Sequence, residues 1–365
     1  MHDKDFGIER EWDIDLLSGH DHVFVKNTST APGSHHYKGI MNPSLISEVA
    51  SYHPDKIIVY GWKFNSHLKL LRHFKGKIPL YFRGDSTLLD EHYGFSLKKA
   101  LRKLLLQWVY RHVDFALSPG TASDAYFINA GLSAYQIIRA PHAVDNARFS
   151  GAETPDMHSF YDESAQNWRK ELSIAEDAKV FLFAGKLEPK KDPLLLVKAF
   201  ARLHQQYPNT HLIMVGNGIL EKQLKTITTP PQPSAGRLNL SQPPQPSAGK
   251  FNSSNPQPSA GKFTSLTFLP FQNQSIMPLV YRLGDVFVLP SKGPGETWGL
   301  AINEAMACGR PVIASDKCGA SADMVKDNEN GFVFKAGDEN DLYNCMEKMI
   351  LADTSSMGAR ALETV

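Results

Sequence analysis

The chain has 365 residues, with 39 Lys and Arg against 38 Asp and Glu and 42% hydrophobic residues. That length accommodates two domains at ~100–200 residues each, and the net charge of +1 excludes a global field that would recruit nucleic acid or anionic lipid. Cys308, Cys318 and Cys345 contain no CxxC pair, which excludes a disulfide framework or a cysteine zinc cluster and suits a reducing, cytoplasmic setting, and no apolar run approaches the ~18 residues that cross a bilayer.

Residues 1–22 are a charged lead without an apolar strand or a tight glycine turn, so the first strand of the N-terminal domain is expected to be missing. Strands are predicted at 23–25, 57–60, 78–82, 115–117 and 137–139. A polar, weakly patterned break follows around 149–168. A second series runs through 180–184, 211–215, 266–269, 286–289, 311–314 and 331–334. Helical patterns lie between them, among them 193–206, 276–283, 300–308 and a basic amphipathic one from Ser96 to Val113. Short strands alternating with helices predict parallel sheets built from βαβ units, hence an α/β chain of two Rossmann-like domains. The expected division is 1–150, a linker at 151–176, a second domain at 177–350, and a C-terminal helix at 351–365 that stops short.

Residues 230–263 differ in kind. Pro-Gln-Pro-Ser-Ala-Gly occurs at 231–236, 244–249 and 256–261, and the segment holds 8 of the 23 prolines. With few bulky apolar groups it cannot offset its ordering entropy, so it reads as a flexible surface insertion rather than a solenoid.

Chemistry concentrates in two stretches. Ser291-Lys292-Gly293-Pro294-Gly295-Glu296-Thr297-Trp298-Gly299-Leu300 is a glycine-rich loop between a strand and a helix that carries Glu304. Such a loop lets backbone N–H groups approach a diphosphate, and carboxylates accept vicinal hydroxyls. Gly185-Lys186-Leu187-Glu188-Pro189-Lys190-Lys191-Asp192-Pro193 places Lys186 and Lys191 between a strand end and a helix, with Asp192 as the expected N-cap. Residue types alone leave open that these glutamates and lysines are solvated surface charges.

Together the stretches resemble the family 4, group 1 glycosyltransferases of the GT-B fold. Glu296 and Glu304 meet the Glu-x7-Glu hallmark, and Lys186 and Lys191 meet the basic pair, with lysine in place of the usual arginine at 186. Val215-Gly216-Asn217-Gly218, the run from Gly309 to Asp316, and Asn330-Gly331 match further family turns. Pro141-His142-Ala143-Val144-Asp145 matches a PNGVD segment with His-Ala in place of Asn-Gly.

The resemblance implies two domains facing across a cleft. The first holds an acceptor, and the second a nucleotide diphosphate sugar as co-substrate, without a cofactor or metal. It further implies that Lys186 and Lys191 stabilise the diphosphate, Glu296 binds the donor sugar, and Glu304 binds the ribose diol. Thr297, Trp298, Gly299, Leu300 and Gly216 would complete the donor site. Where many relatives carry a histidine facing the reaction centre, Tyr81-Phe82-Arg83-Gly84-Asp85 offers Arg83 or Asp85. Asp85 reads either as a base for an acceptor hydroxyl or as the cap of the next turn.

The expected activity is retaining, hexosyltransferase-type transfer to a glycan or lipid-linked acceptor in cell-surface polysaccharide synthesis. A catalytically impaired nucleotide-sugar scaffold is the alternative. The helix from Ser96 to Val113 adds a candidate contact with the inner membrane face. Asp13-Ile14-Asp15 spells a DxD motif that GT-B enzymes do not use for metal, and His35 and His36 fall in a loop able to border the acceptor.

Overall fold

The computed structural model describes residues 2–3, 8–9, 13–15, 17–34, 36–91, 96–228 and 265–365. His35, most of the first twelve residues and the repeat segment 230–263 lie outside the described residues.

The C-terminal half is organised by a six-stranded parallel sheet. Its strands are β5 (Lys179–Ala184), β6 (Thr210–Val215), β7 (Leu266–Leu269), β8 (Val286–Leu289), β9 (Val312–Ser315) and β10 (Gly331–Phe334). They lie in the order β10-β9-β8-β5-β6-β7. The central strands are continuous apolar runs because both faces are covered. Val180, Leu182, Phe287 and Leu289 enter one core, and Phe181, Phe183, Val286 and Val288 enter the other. The chain builds outward from β5 through β6 to β7, then crosses back to β8. Strand order therefore reverses between β5 and β8, which opens a crevice at their carboxyl ends, where open α/β sheets bind ligands.

The N-terminal half holds a four-stranded parallel sheet of β1 (Ile57–Tyr60), β2 (Leu80–Arg83), β3 (Phe115–Ser118) and β4 (Ile137–Arg139), in chain order. Ile57, Val59, Leu80, Phe82 and Ala116 pack on one core. On the opposite side of β1, Ile58 and Tyr60 are 52% and 70% exposed.

The strand expected at 23–25 does not form. The carbonyls of Val25 and Lys26 accept instead from Asn42 Nδ2 at 3.0 and 3.0 Å, and Phe24 is exposed. Among the described residues no strand pairs with the outer edge of β1.

The linker expected at 151–176 is also corrected. Met157–Glu171 is a helix whose Ala165 and Trp168 enter the same core as β5 and β8, and Phe149, expected in the first domain, joins them. The buried Arg282 fastens this crossing: its guanidinium donates to the carbonyls of Phe149 (2.8 Å) and Ser150 (2.9 Å) and meets Asp162 (3.1 Å). The chain thus reaches the second core before residue 151. Farther on, the helix Thr354–Thr364 is N-capped by Asp353 and buries Ala361 against the same core.

Candidate active site

The crevice at the β5–β8 reversal is lined from both directions. Lys186 and Lys191 follow β5, and the glycine-rich loop follows β8. Lys191 Nζ lies 2.5 Å from Glu296 Oε2, with the two side chains only 15% and 8% exposed. Ser291 Oγ donates to the same carboxylate oxygen at 3.0 Å, and Ser315 Oγ in turn donates to the Ser291 carbonyl. A buried carboxylate needs such partners, because an unpaired one loses its hydration without compensation. Two calls from separate stretches of the sequence thus meet in one ion pair. Lys186 sits half-buried just beyond the end of β5, in the same crevice wall.

Asp192 precedes the helix Pro193–Gln206 but does not cap it. Its backbone is left-handed (φ 45°), and its carboxylate takes Lys292 Nζ at 3.1 Å. A charge-assisted contact to the glycine-rich loop has replaced the expected cap. Gly216 has φ +132°, and a Cβ there would stand 2.0 Å from the Gly185 carbonyl. Only glycine lets the end of β6 close on the end of β5 in this way. Gly299 (φ +91°) turns the loop into the helix Ala301–Ala307.

Glu304 lies in the first turn of that helix and accepts from Tyr281 Oη at 2.6 Å. Burial pushes its carboxyl above the usual range, offset in part by the Tyr281 hydrogen bond and the Arg148 charge. Trp298 is buried, and its Nε1 donates to Asn303 Oδ1 at 2.8 Å. Asn303 Nδ2 donates to the His142 carbonyl at 3.1 Å, and the His142 and Trp298 rings meet at 5.6 Å. His142, brought against Trp298 in this way, is a residue that sequence reasoning did not select. Its Nε2 is buried without a hydrogen-bond partner, and burial, then the Arg83 charge, lower its pKa against the opposing pull of Asp85. Its departure from the family's Asn-Gly was the available signal.

The two domains touch across the crevice. Asp85 Oδ2 accepts from Thr297 Oγ1 at 2.8 Å, and Asp90 Oδ2 accepts from the Gly295 N–H at 2.7 Å. Lys317 Nζ donates to the Leu89 carbonyl. Asp323 accepts from the Thr121 N–H and hydroxyl at 2.9 and 2.6 Å and meets Arg139 at 3.2 Å. Arg83 is committed elsewhere: its Nη1 donates to the Leu117 and Ala140 carbonyls.

The DxD carboxylates diverge. Asp13 takes the Ser275 N–H and hydroxyl, while Asp15 takes the N–H groups of Leu17 and Ser18. Among the described residues no three His, Cys, Asp or Glu side chains converge as a metal-binding group, and no helix is long and apolar enough to cross a membrane.

Two parallel α/β domains in contact across such a crevice make this a GT-B fold, the architecture of a large class of glycosyltransferases. Anabaena HepE in complex with UDP has a similar structure, with a TM-score of 0.60 at 20% identity over 87% of this chain and 76% of that one. The family described as "Glycosyl transferases group 1" matches residues 164–229 and 259–360, which takes in all six strands of the C-terminal sheet. Among curated relatives, the D-inositol 3-phosphate glycosyltransferase of Mycolicibacterium vanbaalenii is 26% identical over 66% of this chain and 49% of its own length. The sulfoquinovosyl transferase of Arabidopsis thaliana is 25% identical over 85% of this chain and 52% of its own. The chain thus spans about half the length of these curated relatives.

Proposed function

We propose that the chain is a retaining, metal-independent glycosyltransferase of the family 4 type. It would move a sugar from a nucleotide diphosphate sugar to a glycan or lipid-linked acceptor in cell-surface polysaccharide synthesis, at the cytoplasmic side of a membrane. The carrying observation is the buried Lys191–Glu296 pair at the strand-order reversal. A nucleotide diphosphate sugar offers each member of the pair a ligand of opposite character: phosphate oxygens for the ammonium and sugar hydroxyls for the carboxylate. The solved complexes of HepE with UDP and with UDP-glucose support a donor of this class.

In this reading Lys191, joined by Lys186, leaves Glu296 for the diphosphate and stabilises the charge that grows on it as the glycosyl bond breaks. Glu296 holds the donor sugar by its hydroxyls, and the loop from Thr297 to Leu300 lines it. Glu304, oriented by Tyr281, accepts the ribose diol. Asp85 lies on the acceptor side, where displacement of its Thr297 contact frees a carboxylate for an acceptor hydroxyl.

The test is a thermal-shift screen with UDP-, GDP- and ADP-sugars, followed by donor turnover. A ligand at 100 times its Kd adds about 2.7 kcal/mol of stability. Stabilisation by none of them overturns the donor assignment. Stabilisation without turnover selects the binding scaffold.

A further inference from the structure

His142 stands on the short crossing between the two domains, and the backbone around it is held from both. The Ala140 N–H donates to the Ser118 carbonyl at 2.8 Å, and the Ala140 carbonyl accepts from Arg83, all within the first domain. The His142 carbonyl accepts from Asn303 Nδ2 of the second domain at 3.1 Å. Pro141 lies between them, with its φ fixed by the pyrrolidine ring. The imidazole packs on the Trp298 ring, which is itself held in place. Trp298 Nε1 donates to Asn303 Oδ1 at 2.8 Å, and a Cβ added at Gly120 would stand 2.5 Å from Trp298 Cζ3. A side chain supported in this way by backbone and ring contacts is preorganised for a ligand.

One polar atom of this assembly has nothing to bond. Among the described residues His142 Nε2 is buried with no hydrogen-bond partner. Buried polar atoms are nearly always satisfied, so an orphan at a crevice calls for the group that completes it. The charged groups facing the ring are Arg83 and Asp85, at and just beyond the end of β2. From the second domain the ring meets the uncharged Trp298, and Asn303 holds its backbone. Arg83 commits its Nη1 to the Leu117 and Ala140 carbonyls and so presents a fixed positive charge. Burial first, then that charge, lower the His142 pKa from the ordinary 6.5. The ring is therefore neutral at pH 7, with one N–H and one bare nitrogen. Asp85 Oδ2 accepts from the hydroxyl of Thr297, the neighbour of Trp298, at 2.8 Å. A donor on the imidazole and an acceptor on the carboxylate together match a hydroxyl, which needs an acceptor for its hydrogen and takes a donor on its oxygen.

We infer that His142 is a further acceptor-binding residue, whose Nε2 donates to the oxygen of the attacking hydroxyl while Asp85 takes that hydroxyl's hydrogen. The inference rests on the donor-site reading above and adds to it the residue that aims the nucleophile. In the transfer step the hydroxyl oxygen bonds to the anomeric carbon. The bond from that carbon to the diphosphate oxygen breaks, with its electron pair left on the diphosphate. The hydroxyl proton passes to Asp85, and His142 keeps its own proton throughout. A second proton on the ring would make it a cation that pairs with Asp85 and withdraws that carboxylate from the hydroxyl. Transfer should therefore fail as pH falls below the ordinary histidine value of 6.5.

NMR of the histidine ring nitrogens tests the pairing in the free chain, without turnover. The His142 signals, identified by their absence from H142Q, should report a neutral ring at pH 7 that titrates below 6.5. D85N should lower that titration further, because the carboxylate pulls it upward. A ring already charged at pH 7, or one that D85N leaves unmoved, overturns the pairing.

Hydrolysis of UDP-glucose tests the role in transfer, with water in place of the acceptor hydroxyl. H142A should lower kcat roughly ten- to a hundredfold while the Kd for UDP, measured by calorimetry, stays within about twofold. H142Q, whose amide nitrogen reaches the place of Nε2, should recover most of that loss and abolish the acid limb of the wild-type pH profile. H142N reaches only as far as Nδ1 and should not recover it. Melting curves establish that each variant is folded; if H142A is not, H142Q against H142N carries the comparison. Wild-type turnover in H142A, equal rates in H142Q and H142N, or an unchanged acid limb in H142Q overturns the inference. A chain that passes the NMR arm but neither binds UDP nor hydrolyses UDP-glucose fails the donor reading, and the role in transfer falls with it.

Discussion

Replacing Lys191 with methionine keeps the chain length and removes the ammonium. Among the described residues Glu296 would then be an 8%-exposed carboxylate with only the Ser291 hydroxyl as its side-chain partner. Taking one member from a buried ion pair costs ~3–5 kcal/mol in general. The remaining hydroxyl and the residual exposure bring the expectation here to about 2–3 kcal/mol, at or below the lower end of that range. For a domain of this size each kcal/mol shifts Tm by about 2–4 °C, so the midpoint should fall by about 5–10 °C. K191M/E296Q leaves no buried charge and should recover most of that loss, giving a coupling energy of roughly 1.5–2 kcal/mol in the double-mutant cycle. Differential scanning calorimetry measures the stability arm.

The ligand arm separates structure from chemistry. E296Q releases Lys191, so UDP should bind at least as tightly as to the wild type, while sugar transfer falls on the order of 10²–10³. K191M should weaken UDP itself. If the two single changes add without coupling, or if E296Q weakens UDP as much as K191M does, the pair is not the donor-responsive element described above.

Glu304 gives a pH signature. Burial makes the folded state hold its proton more tightly than the unfolded chain does. Its contribution is therefore full below its ordinary value of 4.5 and is lost as pH rises through the raised folded-state value. E304Q should flatten that limb of the stability–pH curve measured by urea unfolding; an unchanged limb would assign it to other groups. Deleting residues 230–263 and rejoining Thr229 to Thr264 should preserve the far-UV circular dichroism and the Tm within a few degrees, since each doubling of loop length costs only ~0.6 kcal/mol; an unfolded product would make the repeats structural. D323A removes the acceptor shared by Thr121 and Arg139 across the domain contact. It should raise hydrogen exchange at residues 119–124 without lowering the C-terminal Tm by more than about 1 kcal/mol equivalent.

The strands of the C-terminal sheet were legible because burial on both faces writes them as unbroken apolar runs, Val180 to Ala184 being the plainest. The helix Met157–Glu171 was not, because its inward face amounts to Ala165 and Trp168 in an otherwise polar segment. Local pattern also marked residues 23–25 as a strand, yet a strand needs a partner, and the side chain of Asn42 took two of the carbonyls that a ladder would have used. At the site, residue types offered Glu296, Glu304, Lys186 and Lys191 only as candidates, and the resemblance to the family 4 glycosyltransferases selected them. That Lys191 closes on Glu296, that Asp85 reaches Thr297 and that His142 packs on Trp298 are products of tertiary folding between distant segments, which no local period encodes.

The strand β7 begins at Leu266, and the helix before it, Glu221–Thr228, runs back from the carboxyl end of β6. In a parallel sheet the amino ends of the strands face the pole opposite the ligand crevice. The chain therefore departs after Thr228 and returns at Leu266 at the pole opposite the crevice. Sequence added at that pole enters and leaves the domain away from the residues that line the crevice. That pole is equally where a fluorescent protein or an affinity handle can be spliced in to follow the chain in a cell with its chemistry intact.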